Sequence, residues 1–93
     1  MAAKIRTVRY EEQASAAWDK LQKEEPRFAE IQRGVEWTIA RRPELGRQVS
    51  VTGLHVVFTR GGKLGIVPFA FFYRFTANDV SIEDIIRADE PET

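Results

Sequence analysis

The sequence predicts an α+β domain in which a small antiparallel sheet carries a two-helix hairpin on one face. Three observations carry that expectation. Two segments of helical period follow one another, with stripes Ala14/Ala17/Trp18/Leu21 and Phe28/Ile31/Val35/Ile39, and only Glu24-Glu25-Pro26 separates them. From Leu54 onward the chain reads as extended segments punctuated by Gly61-Gly62 and Ala77-Asn78-Asp79. Within Phe69–Phe75, strand alternation puts Phe69, Phe71, Tyr73 and Phe75 on one face, and Ala70, Phe72 and Arg74 on the other. The four-aromatic face is the one expected beneath the helices.

The elements follow in order. Ile5–Tyr10 alternates and is fairly polar, as suits a strand at a sheet margin. Glu11 and Glu12 place negative charge where a helix begins, and the first stripe follows them. Glu25 precedes a proline and avoids the α region, which ends that helix, and Pro26 suits the first turn of the next. Arg41-Arg42 close the second helix, and Pro43 and Gly46 stop it. Leu54–Arg60, Leu64–Phe75 and Val80–Arg87 are the expected strands, with Pro68 marking a bulge, a strand start or an edge. Short turns between them predict antiparallel pairing. The order is β-α-α-β-β-β.

Composition bounds what such a domain can do. The chain has 93 residues, near the usual domain size of about 100–150, so residues 1–93 are read as a single domain with a polar tail at 88–93. The sequence has no cysteine and one histidine. Disulfides, thiolate metal clusters, cysteine nucleophiles and His-rich zinc sites are thereby excluded, and no cofactor or metal is expected. No apolar run approaches the roughly 20 residues that span a bilayer. Met1-Ala2-Ala3-Lys4 has no apolar segment behind it, so the expectation is a cytoplasmic chain without a membrane partner.

The zero net charge conceals segregation: residues 1–36 balance, residues 37–78 carry a net +5, and residues 79–93 a net −5. The middle can attract phosphate or an acidic partner, or the acidic end can simply neutralise it. On the second face of the central strand, Phe72 beside Arg74 can stack on a base or hold an apolar side chain and a carboxylate of a protein. The alternative is that the tail covers Phe72 and Arg74 pairs with Asp84 or Glu83. Trp37 lies nearly opposite the Val35/Ile39 stripe, where it either anchors an interface or is half-covered by the neighbouring loop; half-cover is the expectation. For metal-free RNA cleavage the available cast is His55, Lys63, Arg60, Arg74 and Tyr73. Tyr73 and Arg74 point to opposite faces and cannot reach one phosphate together.

The strand–helical hairpin–strand meander order, Arg42-Pro43-Glu44-Leu45-Gly46-Arg47, Val67-Pro68-Phe69-Ala70-Phe71-Phe72-Tyr73-Arg74 and Val80–Ala88 together resemble the RelE/ParE superfamily of toxins from type II toxin–antitoxin systems. The chain departs from the ribonucleolytic RelE-like branch, which is strongly basic and ends in a tyrosine, and is nearer the ParE-like branch. That resemblance implies a toxin acting by protein binding, in that branch on DNA gyrase, neutralised by a cognate antitoxin and able to form a homodimer within the complex. An acidic amphipathic antitoxin segment would suit Arg41, Arg42, Arg60 and Arg74. The partner-binding set is then Phe72, Arg74, Arg41, Arg42, Arg60 and Trp37. The alternatives are a ribosome-dependent mRNA endoribonuclease using Arg60, Lys63, Arg74 and His55, and a member that keeps the fold without toxicity.

Overall fold

The computed structural model describes residues 5–59 and 68–88. Strand β1 (Thr7–Tyr10) leads into helix α1 (Glu12–Glu24) and helix α2 (Phe28–Arg41), and a 3-10 turn (Pro43–Leu45) precedes β2 (Arg47–Gln48). The meander β3 (His55–Phe58), β4 (Phe69–Phe75) and β5 (Asp79–Arg87) follows. The five strands form one sheet in the order β1-β5-β4-β3-β2. The α+β class is as the sequence predicts.

Three features differ from the expectation. The meander pairs antiparallel, but β1 lies parallel to β5, with Thr7 opposite Asp79 and Tyr10 opposite Ile82, so the sheet is mixed. Consecutive elements with short turns pair antiparallel, whereas β1 reaches its partner only after the whole helical hairpin and meander intervene. The short strand β2 is an addition, set by a hairpin in which Val49 N–H donates to the Leu54 carbonyl. Gly53 turns that hairpin at φ 89°, the left-handed region that favours glycine. Pro26 sits in the turn ahead of α2 rather than inside its first turn. Pro68 immediately precedes β4, and its carbonyl accepts from Ala88 N–H at 2.8 Å, so it marks a strand start. The Gly61-Gly62 turn and Leu64–Val67 lie outside the described residues.

The core is the one the stripes predict. Ala14, Leu21, Phe28, Val35 and Ile39 from the helices meet Phe69, Phe71, Tyr73, Val80, Ile82 and Ile85 from the sheet. Trp18, Ile31 and Phe75 pack on its margin. Phe28 meets Phe69 edge-on at 5.0 Å between centroids and stacks on Phe71 at 6.1 Å, which clamps the start of α2 to the central strand. Tyr73 is fully buried, and its hydroxyl donates to the Pro43 carbonyl at 2.5 Å, tying β4 to the 3-10 turn.

Burial pushes the Tyr73 phenol up to about 12, with Glu44 adding to the rise. Tyr10, whose hydroxyl accepts from Gln32 Nε2 at 2.7 Å, is also raised, first by burial and then by Glu36. These are the two tyrosines of the chain. Both pKa values are higher folded than unfolded, so their contribution to stability is fully present below the unfolded value of about 10 and is lost as pH rises through the folded values. Tyrosinate absorbance and circular dichroism followed together across this window should change in step. A tyrosine ionising near its ordinary pKa with the ellipticity intact would place that ring in solvent.

Candidate functional site

The face of the sheet opposite the core carries Phe72 and Arg74, as alternation predicts, and a cleft of about 840 Å³ opens above them. Phe72, Leu54 and Ala16 supply its apolar surface. Arg74, Glu83 and Asp84 line it from the sheet, and Glu11, Glu12 and Gln13 from the start of α1. α1 reaches the cleft because β1 ends beside Ile82, where Glu11 N–H donates to the Ile82 carbonyl at 2.9 Å, and the helix then continues along β5.

A bulge gathers the acidic side. Phe72 pairs with Asp84 but Tyr73 pairs with Ile82, leaving Glu83 as the extra residue on β5. Strict alternation would send Glu83 and Asp84 to opposite faces; the bulge lets both line one cleft. Arg74 Nε lies 3.4 Å from Glu83 Oε1, and its Nη1 donates to the Thr52 carbonyl at 2.7 Å. The pairing of Arg74 with Glu83 is one of the alternatives read from the sequence. Asp84 instead accepts from Gln13 Nε2 at 2.9 Å and from Ile85 N–H at 2.9 Å. Ser81 Oγ stands 2.6 Å from Glu11 Oε1 and 3.1 Å from Glu83 Oε2, with one proton to donate between them. Glu11 and Glu12 sit at the N-terminus of α1, where the helix dipole favours carboxylates. The cleft therefore joins an apolar floor to four carboxylates and one engaged guanidinium.

The remaining predicted residues are dispersed. His55 stands opposite Tyr73 on the core side of the sheet, 5.0 Å from the Phe75 ring centroid, with Nδ1 2.8 Å from the Gly53 carbonyl. It shares neither face nor cleft with Arg74. Tyr73 is in the core. Trp37 is 62 % exposed, which corrects the half-covered reading, and the Arg41 guanidinium lies over its ring at 4.3 Å. Arg42 faces Glu44 at 3.7 Å. Exposed Trp37 and Arg42, with half-buried Arg41 stacked on the Trp37 ring, lie together at the end of α2, away from the cleft. Arg60 and Lys63 lie outside the described residues.

Among the described residues, no group of three or more His, Asp or Glu side chains is arranged to hold a metal ion, and no helix is long and apolar enough to cross a membrane. No protein-family model matches the chain, and no curated protein matches it. Glu11 and Glu12 read from the sequence only as charges at a helix start and Asp84 only as a salt-bridge partner for Arg74, while Gln13 carries no sequence signal for a site.

Proposed function

We propose that this chain acts by binding protein, as a ParE-like toxin of a type II toxin–antitoxin system, with the open-face cleft around Phe72 as a docking site. DNA gyrase is the target class implied by the sequence resemblance, and a cognate antitoxin is the neutralising partner. The observation that supports binding over RNA cleavage is the separation of His55 from Arg74. A base for the 2′-hydroxyl and a cation for the phosphorane must reach one phosphate, and these two residues lie on opposite faces of a sheet. The α2 patch of Arg41, Arg42 and Trp37 offers the cationic, aromatic surface that an acidic antitoxin segment would engage.

Inducible expression in bacteria, with translation and DNA replication followed separately, tests this reading. A replication block with intact mRNA is the expected result, and it should be relieved by Phe72→Ala in a soluble, folded variant. Messages cut at codons, with cutting lost in Arg74→Ala or Lys63→Ala, would establish the endoribonuclease instead. Unimpaired growth would identify a member that retains the fold without toxicity.

A further inference from the structure

The sequence places a net +5 around the central strand, yet the cleft above that strand is acidic. Four carboxylates converge there from two places distant in the chain, Glu11 and Glu12 before the helical hairpin and Glu83 and Asp84 on the last strand. Arg74, the one cation among the described lining residues, is bonded to Glu83 and to the Thr52 carbonyl.

The hydrogen-bonding inventory is equally one-sided. Each donor side chain around the cleft is directed at an acceptor within the protein: Gln13 at Asp84, Ser81 at Glu11 or Glu83, Arg74 at Glu83 and Thr52. An ionised carboxylate offers about four acceptor positions, and these bonds occupy a minority of the total. Among the described lining residues the cleft thus offers more acceptor positions than side-chain donors, and its charge is net negative. A ligand that fits must bring N–H donors and positive charge, which excludes phosphate and acidic peptides by like-charge repulsion. It must also bring apolar surface, because Phe72, Leu54 and Ala16 form the floor. Arginine and lysine side chains combine both properties, an aliphatic stem with a cationic head, and a guanidinium pairs with a carboxylate through two parallel bonds. Asp84 and Glu11 are held in place by Gln13, Ile85 N–H and Ser81 before any ligand arrives.

We propose that the cleft docks a basic segment of a protein partner, its arginine or lysine heads meeting Glu11, Glu12, Glu83 and Asp84 while an adjacent apolar side chain seats on Phe72. The inference rests on the protein-binding reading above and specifies the chemistry of the partner at that site.

The test uses the full chain and two fluorescein-labelled peptides read by anisotropy. One alternates arginine and leucine around a single phenylalanine; the other carries glutamate in place of each arginine. The basic peptide should bind at least about tenfold tighter, and its affinity should fall as salt is raised. Phe72→Ala should weaken it about tenfold, as truncating an aromatic anchor does. Glu12→Lys, an exposed substitution that leaves the core untouched, should weaken it about five- to tenfold, whereas Glu24→Lys at the far end of α1 should leave it unchanged. Equal losses in Glu12→Lys and Glu24→Lys would overturn the proposal, since binding would then report diffuse charge. Tighter binding of the acidic peptide with dependence on Phe72 would overturn it too, while leaving the cleft a protein-docking site. If neither peptide depends on Phe72, the inference and the docking role of the cleft both fall.

Discussion

Alanine at position 46 should destabilise the domain by about 3 kcal/mol, the upper range for forcing atoms into a packed core, with the urea midpoint falling and the slope unchanged. The reason is space, since the Gly46 backbone at φ −71° suits any residue. Tyr73 reaches from the core into the 3-10 turn to donate to the Pro43 carbonyl, and the Cα of Gly46 faces its ring. A Cβ there would overlap Tyr73 Oη and stand 2.8 Å from Cζ. The ring cannot withdraw, because it is fully buried against its neighbours. Tyr73→Phe alone should lose about 1 kcal/mol, the net worth of one hydrogen bond. The double variant should lose less than the two single losses combined, because the phenyl ring removes the worst overlap. A strictly additive pair would mean that the loop moves aside and that the contact does not restrict residue 46.

Truncating Phe28 to alanine should be costlier still, about 3–5 kcal/mol by the usual scale for a buried phenylalanine. That is a fifth or more of the roughly 5–15 kcal/mol by which a domain is stable. The residue opens α2, is wholly buried, and lies between Phe69 and Phe71 of the central strand, so its loss leaves a cavity where helix and sheet are joined. Phe28→Leu should recover more than half of the loss, since it refills most of the volume. Trp37→Ala on the same helix should stay within about 0.5 kcal/mol, as surface changes do. Thermal unfolding followed by circular dichroism separates the three variants. A Phe28→Ala protein as stable as Trp37→Ala would mean that α2 does not rest on β4.

The core was legible because its signals are periodic. The helical stripes and the aromatic alternation of Phe69–Phe75 each state which face is buried, and each face is where it was expected. The acidic cleft was not legible from the same rules, because it depends on one broken alternation. Val80, Ile82 and Ile85 are all buried, and the step of three from Ile82 to Ile85 is the trace that the bulge leaves in the sequence. Read as a regular strand, Glu83 and Asp84 point apart. Glu11 and Glu12 join them only because β1 lies parallel to β5 and delivers the start of α1 to that spot, a long-range pairing with no local signal. Trp37 fails differently: its position opposite the apolar stripe predicts exposure, and the residue is more open than the half-cover expected from a neighbouring loop.

The parallel pairing of β1 with β5 also sets an order on synthesis. Arg6 and Thr76, like Glu11 and Ser81, are bonded across 70 residues of chain. Strand β1 is synthesised well before β5, the strand it pairs with among the described residues. Closing so long a loop is entropically unfavourable until the intervening hairpin and meander have shortened it. Helices α1 and α2 can form as they emerge, but their apolar stripes stay uncovered until β4 arrives, and β1 stays an unpaired edge until β5 does. Completion of the sheet is therefore a late event in the life of each new chain, and the interval before it is when the nascent protein is most open to capture by a chaperone or a partner.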